Sequence, residues 1–323
     1  LNPIVIGITG SSGKTSTKEM LAALLSPFYK VHKTALNHNN EVGVPLTLLQ
    51  LQPKHEVCIL EMAMRARGEI RTLAEIGEPH FGMITNAGQA HVGELGSLEQ
   101  VAKAKWELGE YLTETQGTLA LLTTEQALIT LAKETPTLDI IWCGEGGILQ
   151  PLEVRVQEQS QLLTYRLKGE TKQIVLHVPG KHQLANLWLC LGILSALPCP
   201  LPEEMELHVP ILFGRGETLH TANYITILND AYNANPASMK ASLVALCDHY
   251  QGRRVAVISF MGELGMESDQ YHREVGEFCK HLPLDRLCVV GSKAKEIWSG
   301  AQGAVFPVLF YENTEVASQE LPQ

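Results

Sequence analysis

The chain has 323 residues, enough for two domains of ordinary size. Hydrophobic residues make up 45% and charged residues 19%, and the net charge of −10 argues against a nucleic-acid-binding surface, which normally carries a basic patch. No apolar run approaches the roughly 20 residues of a membrane span, and no signal peptide is visible before the first predicted strand.

The seven cysteines occur singly, without a Cys-X-X-Cys pair. This pattern is typical of reduced, buried thiols and not of a disulfide framework or a zinc site. We therefore expect a cytoplasmic protein.

Over about 115 residues from the start, short apolar runs alternate with helical patterns, as in a parallel α/β sheet. The predicted strands are Ile4–Thr9, Glu56–Leu60 and Phe81–Thr85. The predicted helices are Lys14–Leu25 and Ser97–Leu112, the second opened by a capping box.

A loop rich in glycine and serine, Thr9–Thr15, joins the first strand to the first helix. The backbone amides expected to bind phosphate belong to Gly10, Ser11, Ser12 and Gly13. Lys14 can reach the terminal phosphates of a nucleotide, and the Thr15 hydroxyl can bind Mg²⁺. Ile8 stands where the common motif has a glycine, so the loop is a shortened variant. The alternative is a Gly/Ser turn with an exposed lysine.

Two predicted strand ends carry possible metal ligands. Glu61 follows Glu56–Leu60, and carboxyl ends of parallel strands meet at the ligand crevice of an open α/β sheet. An acid there can hold Mg²⁺ against phosphates, although a solvated carboxylate is the alternative. Asn86 and His91 follow the third strand at the same edge, and a purely structural histidine is the alternative for His91.

Lys105 lies on an apolar helical stripe. The stripe, with spacings of 3, 4, 3 and 4, consists of Leu98, Val101, Lys105, Leu108 and Leu112. Lys103 falls on the other side. A buried lysine is usually paired or has a lowered pKa, and a neutral amine can add CO₂ to give a carbamate that suits Mg²⁺. A snorkelling lysine at the edge of the stripe is the alternative.

Residues 117–178 change character, with alternating segments that predict a small β insertion or sheet extension: Leu152–Val156, Leu162–Leu167 and Gln173–Val178. A helix is predicted over His182–Leu197. We expect a first domain over residues 1–213 and a second over 214–323. In the second, strands Tyr224–Leu228, Arg254–Ser259 and Arg286–Val290 alternate with helices at about 237–249 and 268–281 in a doubly wound pattern.

Two further segments are rich in polar side chains. Gly180–Asn186 opens the predicted helix, where Asn186 could bond a purine edge or cap the helix. Asp230–Pro236 follows a strand and precedes a helix. Its polar side chains at the carboxyl end of a strand favour ligand contact, and a turn with a helix start at Pro236 is the structural alternative.

Taken together, these features resemble the Mur ligase family. The matching stretches, in family order, are Thr9–Thr15, Asn37–Leu49, Glu61–Met62, Gly68–Ile70, Ile84–Asn86, His91, Ala104–Lys105, Gly180 with His182 and Asn186, Gly214–Glu217, Asp230–Ser238, Glu263–Gly265 and His272–Gly276. Within the family, the Gly-Val-Pro-Leu-Thr and Asn-Ala-Asn-Pro stretches are similar to members that add D-alanyl-D-alanine. Gln183 departs from the family pattern, where an asparagine is usual.

The resemblance implies a fold: a central domain of P-loop type with a mostly parallel sheet and a small β insertion, then a Rossmann-like α/β carboxyl-terminal domain. It implies roles as well. Lys14 and Thr15 bind the phosphates and Mg²⁺ of ATP, and Lys14, His91 and Lys105 are catalytic. Metal ligands at two Mg²⁺ sites are Thr15, Glu61, His91 and a carbamylated Lys105. Asn186, Arg215 and Asp230 contact the nucleotide, and Asn233 and Asn235 contact the incoming dipeptide.

The implied reaction is ATP-dependent amide formation between a UDP-muramyl-tripeptide and D-alanyl-D-alanine through an acyl phosphate, in a monomer. Full members carry an additional amino-terminal domain for the UDP part, which we expect this chain to lack, together with the extreme carboxyl end. Two alternatives remain. One is a related ligase with another acceptor, of the folylpolyglutamate or polyamino-acid synthetase type. The other is a catalytically silent ATP-binding module.

Overall fold

The structure is a computed structural model that forms two compact units. The described residues are 2–88, 92–156, 160–178, 180–210, 212–222 and 224–321. Unit 1 comprises residues 1–88 and 94–210, and unit 2 comprises 89–93 and 211–323. Within the described ranges, no helix is both long enough and apolar enough to cross a bilayer.

Among its described residues, unit 1 contains one sheet of ten strands. In chain order the strands are β1 (Ile4–Thr9), β2 (Val31–Lys33), β3 (Val57–Glu61), β4 (Phe81–Ile84), β5 (Thr118–Leu122), β6 (Asp139–Cys143), β7 (Leu149–Val156), β8 (Gln161–Leu167), β9 (Glu170–Leu176) and β10 (Glu204–Leu207). Their spatial order is β10-β9-β8-β7-β6-β5-β4-β1-β3-β2.

Helices connect these strands. In chain order they are α1 (Lys14–Leu25), α2 (Gly43–Leu49), α3 (Glu69–Gly77), α4 (Val92–Leu95), α5 (Leu98–Thr115), α6 (Gln126–Glu134) and α7 (His182–Ala196). α1 packs against α7, and α3 packs against α5. β1 and β3 are almost continuously apolar and buried, as expected of parallel strands that helices cover on both faces.

The sheet changes from parallel to antiparallel along its width. β2, β3, β1, β4, β5 and β6 pair in parallel. β7, β8 and β9 form an antiparallel meander, and β10 returns parallel to β9. The antiparallel strands therefore extend the main sheet, which confirms the extension alternative and not a separate insertion.

The predicted change of character at residue 117 is wrong. The parallel pattern continues through β5, α6 and β6, because both strands are short apolar runs with buried residues that join the central sheet. The antiparallel part begins only at Leu149. The structure also places Glu61 as the last residue of β3 and not beyond the strand.

Unit 2 contains two sheets among its described residues. β11 (Glu217–His220) and β12 (Thr226–Asn229) pair antiparallel. A parallel sheet has the order β13 (Val255–Ile258), β14 (Arg286–Val290) and β15 (Val308–Tyr311). The helices are α8 (Pro236–His249), α9 (Ser268–Cys279), α10 (Lys295–Gly300) and α11 (Thr314–Glu320).

The strand predicted over Tyr224–Leu228 does not join the parallel sheet of unit 2. It begins at Thr226 and pairs with β11, where Glu217 lies opposite Asn229. Its residues are exposed or half-buried, so it lacks the two-sided burial of a central parallel strand. β14, in contrast, matches its predicted bounds and is buried over four of its five residues.

Candidate functional site

The loop between β1 and α1 has the backbone that its glycines predict. Gly10 and Gly13 have φ angles of +147° and +80°, which residues other than glycine rarely adopt. Gly13 precedes α1, and no side chain caps that helix start. The first amides of α1 therefore remain directed out of the helix end, where an anion is favoured.

The end of β4 braces this loop. The Ser12 amide donates to Asn86 Oδ1 over 3.1 Å, and Asn86 Nδ2 donates back to the Ser12 carbonyl over 3.1 Å. The Thr85 hydroxyl donates to the same carbonyl over 2.6 Å. Asn86 thus fixes the loop, a role its position after the strand did not reveal.

Lys14 lies across the loop that precedes it. Its Nζ donates a hydrogen bond of 2.6 Å to the carbonyl oxygen of Gly10. The ammonium group is therefore held over the loop, close to the amides of the same segment.

Glu61 meets the first turn of α1. The Thr15 hydroxyl donates to Glu61 Oε1 over 3.1 Å, and Asn39 Nδ2 donates to the same oxygen over 2.8 Å. Glu61 Oε2 has no hydrogen-bond partner among the described residues, although Lys18 Nζ lies 3.5 Å away. A buried carboxylate oxygen of this kind, beside a threonine hydroxyl, suits a hard divalent cation.

Lys18 is a site residue that sequence reasoning missed. It is fully buried on α1, and its Nζ donates to the Leu36 carbonyl over 3.1 Å. It lies 3.5 Å from one oxygen of Glu61 and 3.5 Å from one oxygen of Glu19. The only signal in the sequence was a lysine in the middle of an otherwise buried helical segment. The hydrogen bond from Asn39 to Glu61 is likewise not predicted by the sequence.

Lys105 lies inside unit 1, as its place on the apolar stripe predicted. It is 1% exposed on α5, between buried turns that contain Val101 and Leu108. Burial, with the positive charge of Lys14 as a second cause, holds the pKa of the Lys105 amine well below its usual range. Leu98 is exposed, so the buried stripe begins one turn later than predicted. The side chain of Lys103 is 38% exposed and pairs with Glu99.

Polar side chains near the amino-terminal end of α7 lie against the loop between β1 and α1. A side chain at Gly13 would lie 2.7 Å from Asn186 Oδ1, so Asn186 lies directly against the loop. Asn186 Nδ2 donates to Gln183 Oε1 over 2.9 Å. The Cys190 thiol, one turn further along, contacts the Thr17 carbonyl at 3.5 Å and joins α7 to α1.

The predicted residues of unit 2 lie around the start of α8 and before β11. The Arg215 guanidinium stacks over the Tyr232 ring at 4.0 Å from its centroid. Asn233 Oδ1 accepts the Ala234 amide over 2.9 Å, and Asp230 is half-buried. Asn235 caps α8 in a capping box with Ser238, so α8 begins at Pro236 as predicted.

Unit 1 therefore brings together the loop, Thr15, Glu61, Lys105 and Asn186, which the sequence separates widely. His91 lies outside the described residues. In unit 2, Arg215 contacts Tyr232, and Asn233 and Asn235 lie at the start of α8. In chemical terms, unit 1 combines anion-binding amides, a lysine ammonium, a buried carboxylate and a buried amine of lowered pKa. This combination suits a nucleotide phosphate chain with a divalent cation.

Two family models match the chain. The Mur ligase middle domain matches residues 8–194, and the Mur ligase glutamate ligase domain matches residues 214–321. UDP-N-acetylmuramoyl-tripeptide--D-alanyl-D-alanine ligase of Synechocystis sp. is 36% identical over 316 residues, which is 93% of this chain and 64% of the relative. The Bacillus subtilis protein of the same name is 35% identical over 92% of this chain and 65% of its own length. The chain thus spans slightly less than two thirds of these relatives.

Solved structures agree with this comparison. A crystal structure of MurF from Acinetobacter baumannii has a TM-score of 0.86 and 28% identity, covering 98% of this chain and 75% of that one. MurF from Thermotoga maritima in complex with ADP has a TM-score of 0.82 and 26% identity, covering 99% and 78%. Mycobacterium tuberculosis folylpolyglutamate synthase, at 18% identity and a TM-score of 0.69 over 99% of this chain and 85% of that one, shares the fold.

Proposed function

Because this chain belongs to the Mur ligase family, we propose that it is an ATP-dependent ligase that adds D-alanyl-D-alanine to a UDP-muramyl-tripeptide. The names of relatives that are 31–37% identical support this acceptor. The observation that carries the chemical part is the Thr15–Glu61 hydrogen bond beside the phosphate loop, with the buried Lys105 amine near Lys14.

The proposed reaction has two steps. The terminal carboxylate of the tripeptide attacks the γ-phosphorus of ATP, which gives an acyl phosphate and releases ADP. The free amine of D-alanyl-D-alanine then attacks the acyl carbon, so that an amide forms while phosphate and a proton leave. Amide formation needs this activation because a carboxylate is a poor acyl donor.

In this proposal the loop of unit 1 binds ATP. The amides of Gly10–Gly13 and the ammonium group of Lys14 hold the phosphates and neutralise the transferring group. Thr15 and Glu61 fit a Mg²⁺ ion, because Glu61 Oε2 is buried without a hydrogen-bond partner among the described residues. Mg²⁺ bound there would supply positive charge to the phosphoryl group. The end of α7 near Asn186 would contact the adenine.

Lys105 is proposed as the second metal-binding element. Its lowered pKa favours the neutral amine, which can add CO₂ and lose a proton to give a carbamate. Such an anion, together with His91, would suit a second Mg²⁺. Lys105 is 1% exposed on α5, so its amine lies away from bulk water.

We propose the boundary between the ATP-binding middle domain, 1–213, and the carboxyl-terminal domain, 214–323. Arg215 and Asp230 would contact the nucleotide and Asn233 and Asn235 the dipeptide. Asn235 also caps α8, so its substitution would affect the helix as well as any contact with the dipeptide. The use of ATP and a UDP-linked precursor fits the bacterial cytoplasm.

The test is phosphate release by the purified chain with ATP, Mg²⁺, UDP-muramyl-tripeptide and D-alanyl-D-alanine. We expect release only when both the tripeptide and the dipeptide are present, with one amide formed per phosphate. L-alanyl-L-alanine and glutamate serve as matched acceptors that should give no product. Release with glutamate instead would favour a polyglutamate-type ligase. Tight ATP binding without ADP formation under any acceptor would identify a silent binding module.

A further inference from the structure

Three possible metal ligands meet at the outer edge of the unit 1 sheet. They are His177, Glu206 and His208, and one ligand atom of each lies within 4.8 Å of the others. They lie on and just beyond β9 and β10, whereas the phosphate loop follows β1. The cluster therefore has no part in the proposed ligase chemistry.

The pairing of β9 with β10 explains why these side chains meet. Leu207 lies opposite Leu176, and each histidine is the next residue in its chain segment. The His177 amide donates to the Leu207 carbonyl over 3.0 Å, which continues the ladder for one more residue. Glu206 lies two residues before His208, so both side chains face the same side of the strand. The backbone thus fixes all three positions.

The three side chains lie against one another. The two imidazole rings stack with centroids 4.0 Å apart and an interplanar angle of 8°. Each Nε2 atom lies 3.5 Å from the same oxygen, Glu206 Oε2. His177 Nε2 is buried and has no hydrogen-bond partner among the described residues. A buried nitrogen without a partner calls for a physical explanation.

We propose that His177, Glu206 and His208 bind one divalent transition-metal ion of the zinc class. Two imidazole nitrogens and one carboxylate oxygen form a donor set that zinc accepts, with bonds of about 2.0–2.2 Å. Ligand atoms of a tetrahedral site at such distances lie about 3.3 Å apart. Each Nε2 already lies 3.5 Å from Glu206 Oε2, close to this value, and binding requires the two stacked rings to rotate apart so that both nitrogens point at the ion.

The ion would also give His177 Nε2 a bonding partner. Mg²⁺ is a poor competitor here, because it prefers oxygen ligands. Glu206 and His208 are largely exposed, with side chains 69% and 71% accessible, which leaves the fourth position open to water.

Binding has a structural consequence for the sheet edge. β10 has four residues and is the outermost strand, paired on one side with β9. Short edge strands are easily lost from a sheet. An ion bound by His177 after β9 and by Glu206 and His208 in the β10 segment would cross-link the two strands and so stabilise the pairing of β10 with β9.

The test is a zinc titration of the full chain after its metal has been removed with a chelator. Excess Mg²⁺ is present, and a chromogenic zinc indicator competes with the protein for zinc. We expect one ion per chain, and at least about tenfold weaker binding in His208→Asn and in Glu206→Gln. Both substituted side chains are mostly exposed, so the fold is retained. The matched control is His55→Asn, from a second stacked pair in which His32 and His55 lie 4.8 Å apart.

Three outcomes overturn the proposal. They are no stoichiometric zinc binding, equal affinity in His208→Asn and the unchanged chain, or equal weakening by His55→Asn. Hydrogen exchange tests the effect on the edge. Zinc should slow exchange of the Gln173 and His177 amides, which donate to Glu203 and Leu207 carbonyls in the β10 segment. Zinc binding without slower exchange of these amides would refute the stabilisation of β10 by the ion.

Discussion

Thr15 Oγ1 donates a hydrogen bond to Glu61 Oε1 over 3.1 Å, and so joins the first turn of α1 to the last residue of β3. The two residues are 46 positions apart in the sequence. Because β1 and β3 are neighbours in the sheet, their carboxyl ends deliver the loop and the acid to one edge. The sheet therefore brings Thr15 and Glu61, two of the proposed metal ligands, together.

Replacing Glu61 by glutamine tests the proposed metal role. Glu61→Gln keeps the volume but removes the negative charge. We expect phosphate release to fall by about 10²-fold or more, as for loss of one preorganised electrostatic group. The measurement is the rate of release across a Mg²⁺ titration. Glu110→Gln, at an exposed position of α5, is the control. An unchanged rate at every Mg²⁺ concentration would show that Glu61 holds no required ion.

Lys105→Met should abolish ligase activity and raise stability at pH 7. The pKa of the folded Lys105 amine is depressed, so between that pKa and the usual value of about 10.4 the unfolded chain binds more protons. Stability of the unchanged chain therefore rises with pH in this window, and the variant lacks that rise. At pH 7, thermal unfolding should show that Lys105→Met is more stable than the unchanged chain by roughly 1 kcal/mol or more. At pH 9, this difference in the free energy of unfolding should be smaller.

Lys103→Met is the matched control on the same helix, since Lys103 is partly exposed. It should leave activity unchanged and alter stability by less than about 1 kcal/mol. Equal pH profiles for the unchanged chain and Lys105→Met would contradict a depressed pKa at Lys105.

Lys105→Ala tests the carbamate separately. We expect short carboxylates added to the assay to restore part of its activity, because they supply the missing anion. A variant that is fully active without them would refute the assignment of Lys105. Activity that stays absent at every carboxylate concentration would count against the carbamate alone.

Lys18→Met should destabilise unit 1 strongly. The substitution leaves the buried carboxylates of Glu19 and Glu61 without the cation that lies 3.5 Å from each. Removal of one partner from a buried ion cluster typically costs about 3–5 kcal/mol. The loss in the free energy of unfolding is measured by urea denaturation. Lys33→Met removes the partly exposed partner of Glu19 and should cost less than about 1 kcal/mol. Equal losses in the two variants would refute the role given to Lys18.

Gly13→Ala should weaken nucleotide binding more than it weakens the fold. The new methyl group would lie 2.7 Å from Asn186 Oδ1, at a φ angle of +80°. Gly169→Ala is a matched control, because its φ angle is +89° but no atom lies within 4 Å of the added carbon. Calorimetry with ADP and Mg²⁺ should show loss of affinity in the first variant only. Similar affinities in both would mean that the loop tolerates the contact with Asn186.

Local pattern was sufficient for part of the fold and of the candidate site. β1, α1 and β14 have the predicted bounds, because each apolar run ends at a sharp change in residue type. Lys105 is buried as expected, because a stripe with helical spacing determines which face points inward.

The rest depends on tertiary pairing. Lys18 lies in a helix buried over most of its length, so periodicity gives no contrast, and its partners Leu36 and Glu61 come from distant segments. β5 and β6 were missed because short apolar runs give weak strand signals without their neighbours. His177 and His208 meet only through the register of β9 with β10, which no local pattern specifies.

Because α7 packs on α1, the first part of the chain cannot complete its packing until α7 has been synthesised. Thr17 and Cys190, which join the two helices, are 173 residues apart. At translation rates of about 5–20 residues per second, α1 emerges roughly 10–35 seconds before its partner. During that interval Leu21, Leu24 and Leu25 lack part of their cover, and Gly13 lacks the neighbouring Asn186. A chain that ends before residue 182 therefore lacks the contacts that α7 gives to these leucines and to Gly13.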